Sequence, residues 1–132
     1  MTSSRILQLN AAFTTVGAVG MLVTRGTLPA LFGLGGPILL DAVAVGLLAY
    51  AVLLVAAAHR RLVGREILIA FTIADAAWVI ASAVVLVVYW GQMAAIARVL
   101  VLAVALIVEV FAALQFRAAR STAAGRRTAA VA

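Results

Sequence analysis

Two acidic residues lie deep inside long apolar segments of this chain. Asp75 follows Ile67 by eight residues, and Glu109 precedes Arg117 by the same number. A helix rises 1.5 Å per residue, so each carboxyl would lie about 12 Å inside its apolar segment. A charged side chain near the centre of a membrane-spanning helix costs roughly 2.5–3.5 kcal/mol, and such residues usually face other protein groups and often mark function.

The two carboxyls share one level if the helices that carry them run antiparallel. Two such groups on facing surfaces cannot readily both be ionised, so one would hold a proton and donate a hydrogen bond to the other. Asp75, Trp78 and Ser82 recur at helical spacing, and Asn10 lies at a similar depth in the first apolar segment. We therefore predict an inward-facing polar cluster of Asn10, Asp75, Trp78, Ser82 and Glu109.

This cluster has two interpretations. In the structural one, its members form hydrogen bonds between helices, and each contact contributes roughly 0.6–2 kcal/mol to packing. In the functional one, a pair of protonatable groups couples a proton or cation to transport, or binds a cationic ligand.

A second polar set is predicted near the opposite ends of the helices. Arg25 follows the first apolar segment, Asp41 begins the second, and Arg98 begins the fourth. Asp41 is placed near a helix N-terminus, where the macrodipole favours a negative charge. We expect Asp41 to form an ion pair with Arg25 or Arg98 at this outer face.

The amino-acid composition indicates whether these polar side chains belong to a soluble protein or to a membrane protein. Of the 132 residues, 67% are hydrophobic and 11% are charged, against about 45–50% and about 25% in soluble domains. A water-soluble globular protein is therefore excluded, and an integral membrane protein is predicted. The segments long enough to cross a bilayer as helices comprise about 6–24, 38–58, 67–90 and 94–116.

The predicted fold is all-α: a polytopic membrane protein that forms a four-helix transmembrane bundle. One domain covers residues 1–120, and its short loops favour antiparallel packing of successive helices. The basic segment 121–132 has no apolar periodicity, so we expect a disordered cytoplasmic tail.

The arginines predict an orientation. All ten basic residues are arginine, and with four spans eight of them lie on the side that holds both chain termini. The positive-inside rule then places both termini in the cytoplasm. We expect a multi-pass protein of the plasma (inner) membrane.

The rest of the composition argues against enzyme chemistry. Cysteine is absent and His59 is the one histidine, so thiolate metal sites and a bis-histidine haem site are excluded. We predict no catalytic residues, no metal, no cofactor and no nucleic-acid binding. The expected partners are the lipid bilayer and either a second copy of the chain or another membrane protein.

Short motifs in this chain resemble those of a loose group of small, uncharacterised bacterial four-helix integral membrane proteins. They are Leu9-Asn10, the turn containing Pro29 and Phe32-Gly33, and Asp75-x-x-Trp78-Val79 with Ser82. The resemblance implies an integral membrane protein. Size and span count are also similar to those of small multidrug resistance exporters, which carry an essential glutamate in their first helix, where this chain has only Asn10.

Two functions are consistent with these features. The first is a non-enzymatic membrane subunit or accessory protein that binds a partner or another copy of itself. The alternative is a small proton-coupled transporter or channel that uses the intramembrane acids Asp75 and Glu109.

Overall fold

A computed structural model describes all 132 residues as five helices connected by short loops. The helices are α1 (Ser3–Val23), α2 (Leu28–Leu31), α3 (Ile38–His59), α4 (Arg65–Tyr89) and α5 (Ala95–Val131). All but α2 are long and apolar enough to cross a membrane. The predicted all-helical four-helix bundle is therefore confirmed.

The four long helices associate as two pairs. α1 packs along α3, α4 packs along α5, and α1 also contacts α5. At one end of the bundle, the Ser4 hydroxyl donates a 2.8 Å hydrogen bond to the carbonyl oxygen of Ala58. This bond fixes the start of α1 beside the end of α3. We call this end, which holds both termini of the bundle domain, the arginine end.

Alanine, rather than glycine, allows the helices of the first pair to approach. A set of buried alanines recurs every seventh residue along α1 and α3: Ala11, Ala18, Ala44, Ala51 and Ala58, with Ala57 buried beside the last of them. A seven-residue repeat keeps small side chains on one face of a helix. By contrast, a Cβ atom added at Gly17, Gly20 or Gly46 would meet nothing within 4 Å. These glycines do not mark close contacts within the chain.

The opposite end of the bundle is closed by a turn that contains α2. Gly33 has φ +72°, and a Cβ atom there would lie 2.7 Å from the carbonyl oxygen of Gln92. The amide of Ala94 donates a 2.8 Å hydrogen bond to the carbonyl oxygen of Leu31. The loop before α3 is thus held against the loop between α4 and α5, and Gly33 is needed both for its backbone conformation and for space.

α5 departs from the expected boundaries. In place of a disordered segment at 121–132, the helix continues to Val131. Its 37 residues span about 55 Å, well beyond a hydrocarbon core of about 30 Å. The reason is that alanine and arginine have high intrinsic helix propensity, which needs no apolar periodicity.

Candidate functional site: a buried aspartate held by four helices

Asp75 on α4 is the centre of a buried polar cluster. Its side chain is 3% exposed. Its Oδ2 atom accepts hydrogen bonds from Asn10 Nδ2 at 2.8 Å and from Gln115 Nε2 at 3.0 Å. Its Oδ1 atom accepts a 2.8 Å bond from the Tyr50 hydroxyl. Both oxygens of this carboxyl group are therefore engaged.

Each member of this cluster comes from a different long helix. Asn10 lies on α1, Tyr50 on α3, Asp75 on α4 and Gln115 on α5. Asn10 is seven residues from the start of α1 and Asp75 is ten residues from the start of α4, so they lie about 10 and 15 Å from the arginine end. The cluster thus connects all four candidate spans at one level.

The face that α5 turns to the bundle explains why Gln115 reaches Asp75. Val108, Ala112, Gln115 and Ala119 are the buried residues in this half of the helix. Their spacing of four, three and four residues defines a single helical stripe. The small alanines on either side of Gln115 leave room for its amide between α5 and α4.

The cluster contains no basic side chain. All three groups that donate to Asp75 are neutral: two amides and a phenol. Asn10 is fully engaged, because its Oδ1 atom also accepts a 3.3 Å bond from the Thr14 hydroxyl. Gln115 is not, since its buried Oε1 atom has no hydrogen-bond partner. The cluster can accept one further donor at that oxygen.

Tyr50 has a second contact that affects the chemistry of the cluster. Its hydroxyl lies 3.4 Å from the carbonyl oxygen of Phe71, one turn before Asp75 on α4. The rings of Tyr50 and Phe71 pack edge to face with centroids 5.8 Å apart. The phenol proton therefore has two acceptors on α4, and it can turn from Asp75 to Phe71 with only a small movement.

The structure brings together two of the five side chains predicted to cluster, Asn10 and Asp75. Ser82 is buried, but its hydroxyl donates to the carbonyl oxygen of Trp78 on its own helix. Trp78 is half-buried and forms no hydrogen bond to Asp75. These two residues follow the aspartate along α4 without joining its network.

Glu109 does not lie where the sequence placed it. Its side chain is exposed on the outer surface of α5, and no ion pair or side-chain hydrogen bond includes it. The core stripe passes through Val108 instead, and consecutive helical residues point about 100° apart. The predicted pair of facing carboxyls, with a proton shared between Asp75 and Glu109, is therefore absent from this chain alone.

In the predicted outer-face set, two residues form the expected ion pair and the third does not. Arg25 forms an ion pair with Asp41, with 2.6 Å between Nη2 and Oδ2. The hydrogen bond and the negative charge of Asp41 raise the pKa of Arg25 above its usual value. Arg98 makes no ion pair; its guanidinium lies over the Trp90 ring, 4.5 Å from the centroid.

Tyr50 and Gln115 belong to the site but are not among the residues predicted from the sequence. A feature of the sequence could have identified each of them. Tyr50 is the only side chain able to hydrogen-bond between Asp41 and His59, the two ends of its span. Gln115 lies between Ala112 and Ala119, and alanines seven residues apart mark the packed face of α5. Formal charge alone favours Glu109 as the inward-facing residue of α5, whereas the pattern of small residues identifies the face that is actually buried.

Together, the fold and the buried network define a helical, multi-pass membrane protein. Comparison of the chain with protein-family models, curated proteins and solved structures gives no match.

Proposed function

We propose that this chain is a non-enzymatic subunit of a membrane assembly, and that its partner covers the surface of α5 that carries Glu109. The observation that carries the proposal is an exposed carboxyl group in the middle of a candidate span. Glu109 is fourteen residues beyond the start of α5, or about 21 Å along the helix. At that depth a lipid-facing carboxyl costs roughly 2.5–3.5 kcal/mol, which a protein partner would offset.

The surface around Glu109 has the form of a helix-packing stripe. Its members recur at alternate spacings of four and three residues, and all are exposed: Leu102, Leu106, Glu109, Ala113 and Phe116. We call this set the Glu109 face. Such spacing presents a continuous ridge along one side of a helix. A partner helix lying along this ridge would cover Glu109 together with its apolar neighbours.

The charge on the Glu109 face favours a different protein over a second copy. A symmetric dimer applies the same patch on both sides, so a parallel contact through α5 would bring two Glu109 carboxylates together. A partner that offers a basic or hydrogen-bond-donating side chain would satisfy the carboxylate instead. The proposed partner is therefore another membrane protein with such a group at this depth.

Site-specific photo-crosslinking tests this proposal. A photoreactive residue is placed at Leu106 or Ala113, each within one turn of Glu109, and irradiated in native membranes. The matched control is the same residue at Val52, an equally exposed position on α3. We expect a stoichiometric crosslink to one foreign membrane protein from the Glu109 face and none from position 52.

Two results would contradict the proposal. Equal crosslinking from α3 and α5 would indicate random encounters in the membrane. Crosslinks that contain only copies of this chain would contradict the role of accessory subunit. That second result would favour the transporter described below.

We also propose that the protein resides in the plasma (inner) membrane with both termini in the cytoplasm. The support is the distribution of arginine, since eight of ten lie at the arginine end. A C-terminal fusion to a reporter that is active only in the cytoplasm should be active. Activity of a reporter that requires export would overturn this orientation.

A proton-coupled transporter or channel is the alternative, and one observation favours it. Asp75 is buried without a cation, and beside it the Oε1 atom of Gln115 has no partner. A proton on Asp75 could be donated to that oxygen after the Gln115 amide turns over. Asp75 would thus have two hydrogen-bonded states, which a proton-coupled cycle requires. In this alternative Asp75 acts alone, since Glu109 lies on the outer surface.

Flux measurements in proteoliposomes distinguish this alternative. Asp75→Asn should abolish a pH-gradient-driven flux, because the amide cannot bind and release the proton, whereas Glu109→Gln should retain it. Absence of any flux from the wild-type chain across a panel of cations and organic cations would count against the transporter. Loss of flux in Glu109→Gln would restore a role for both acids.

A further inference from the structure

A cluster of arginines lines two adjoining clefts at the arginine end of the bundle. The first cleft, of about 450 Å³, lies between the start of α4 and the extension of α5, and is lined by Arg65, Arg120, Ala123, Ala124 and Arg127. The second, of about 370 Å³, is lined in part by Arg61, Arg65, Glu66 and Arg126. Because Arg65 lines both, the two clefts form one basic region, which we call the arginine cleft.

The continuation of α5 beyond the bilayer creates this region. Arg120 and Arg127 are seven residues apart on one face of the helix, and Ala123 and Ala124 lie between them. The alanine side chains are short, so the helix surface between the two guanidinium groups stays open. Arg65, at the first residue of α4, forms the opposite side.

The charges in the arginine cleft are not neutralised within the chain. Arg25 and Asp41 form the one salt bridge in the protein, so none of the cleft arginines is paired with a carboxylate. Glu66 is the only acidic residue lining either cleft, and it borders the second. Like charges held near one another repel. An anion bound in the cleft would offset the repulsion between these arginines.

The start of α4 adds hydrogen-bond donors to the same place. Gly64 precedes the helix, and it has no side chain that could cap the first backbone N–H groups. The first backbone N–H groups of a helix have no partner within it, and they lie at the positive end of the macrodipole. Guanidinium forks and free backbone amides are together the groups that bind phosphate oxygens.

The level of the arginine cleft indicates the source of the phosphate. The apolar part of α4 begins at Ile67, two residues after Arg65, so Arg65 lies about 3 Å along the helix from the start of the apolar segment. On the other side of the cleft, Arg120 is four residues beyond Phe116, or about 6 Å along α5. Lipid phosphates occupy this boundary, and basic pockets between helices there bind anionic headgroups. We propose that the arginine cleft is a binding site for the phosphate of an anionic phospholipid.

Lipid titration of the purified full-length chain tests this site. Wild type and variants in a mild neutral detergent are titrated with phosphatidylglycerol and with phosphatidylcholine, and bound lipid is counted by native mass spectrometry. The cleft variant is Arg65→Gln with Arg120→Gln. The control variant is Arg60→Gln with Arg117→Gln, which removes the same charge at the same end from residues that line neither cleft.

We expect one phosphatidylglycerol per chain, bound in preference to phosphatidylcholine. The cleft variant should lose at least about tenfold more affinity for it than the control, because charge-assisted bonds to a phosphate depend on position as well as charge. Helical circular dichroism and elution volume confirm that both variants are folded. Equal losses in the two variants would overturn the site, since they would reflect general attraction between charges.

Inorganic phosphate distinguishes the lipid from a soluble ligand. At millimolar concentration it should displace little of the bound phosphatidylglycerol, because the acyl chains hold the headgroup at the cleft. Full displacement by phosphate, or equal binding of phosphatidylcholine, would contradict the assignment to an anionic lipid. Both results are independent of the partner proposed at the Glu109 face.

Discussion

The Tyr50 hydroxyl donates a 2.8 Å hydrogen bond to Oδ1 of Asp75, and this contact joins the two helix pairs of the bundle. Tyr50 belongs to the pair α1 and α3, whereas Asp75 belongs to the pair α4 and α5. The bond from Asn10 to Oδ2 of Asp75 makes the same connection from α1. One carboxyl group thus adds polar contacts between the two pairs to the packing of α1 against α5, and these contacts matter because lipid provides no hydrophobic force between apolar helices.

Asp75→Leu should destabilise the bundle, whereas Asp75→Asn should not. Leucine leaves the two buried amide donors of Asn10 and Gln115 without an acceptor, which costs at least about 2 kcal/mol, whereas the Tyr50 hydroxyl can turn to Phe71. Asparagine keeps one oxygen for Asn10 and Gln115, and its amide can donate to the Tyr50 hydroxyl while that hydroxyl turns to Phe71. Unfolding free energies measured in detergent or bicelles test this difference.

Ser82→Ala is the matched control for these variants. Ser82 is also buried on α4, but its hydrogen bond stays within its own helix, so its loss should cost less than about 1 kcal/mol. If Asp75→Leu is as stable as Ser82→Ala, the carboxyl does not hold the helix pairs together.

Asn10→Leu should destabilise the protein more than Gln115→Met. Both polar atoms of the Asn10 amide are bonded, to Asp75 and to Thr14, whereas Gln115 has a bonded nitrogen and an unpaired oxygen. Loss of Asn10 should cost about 1–3 kcal/mol. Loss of Gln115 also removes an unsatisfied buried acceptor, so it should cost less than about 1 kcal/mol.

A double-mutant cycle measures the same contact directly. The coupling energy between Asn10→Leu and Asp75→Leu should be about 0.6–2 kcal/mol, the range of hydrogen bonds between membrane helices. Additive effects of the two changes would mean that the 2.8 Å contact does not stabilise the bundle.

Gly33→Ala should destabilise the end of the bundle opposite the arginines. Alanine at φ +72° is strained, and its Cβ would lie 2.7 Å from the carbonyl oxygen of Gln92. The expected cost is about 1–3 kcal/mol. Gly35→Ala is the control in the same turn, because a Cβ atom there would meet nothing within 4 Å. Equal thermal midpoints for the two variants would refute a special role for Gly33.

Arg98→Gln should lower stability by about 0.5–1 kcal/mol, because it removes a cation from the face of the Trp90 ring. The fluorescence of Trp90 should also change. Arg25→Gln removes the same charge at the same end of the bundle, but its ion pair with Asp41 is exposed to solvent, and exposed pairs contribute little. Its thermal midpoint should therefore equal that of the wild type, and an effect as large as that of Arg98→Gln would contradict this account.

The spans and the burial of Asp75 could be predicted from the sequence: the spans follow from apolar length, and the burial follows from the cost of exposing a charge to lipid. The predicted starts of the second, third and fourth spans lie within two residues of those of α3, α4 and α5, and the predicted start of the first lies three residues after that of α1. The end of α5 could not be predicted from hydropathy, since outside lipid a helix depends on residue propensity rather than on an apolar environment.

The partners of Asp75 were harder to predict, because a helix face is set by packing rather than by polarity. Glu109 and Gln115 lie six residues apart on α5, and charge alone favoured the acid. The structure buries the amide and exposes the acid, because the small residues that permit close packing lie on the side of Gln115. On α5, the buried polar residue is the one that has small neighbours at helical spacing, Ala112 and Ala119.

The composition of the particle extracted from native membranes shows whether the Glu109 face binds another protein. The chain is purified in a mild detergent, the mass of the particle is determined, and its subunits are identified by mass spectrometry, for wild type and for Glu109→Leu. We predict that the wild type carries one foreign membrane protein in fixed ratio, and that Glu109→Leu loses it while retaining the fold. A particle made only of this chain, or a partner retained equally by Glu109→Leu, would contradict the proposal that the Glu109 face binds another protein.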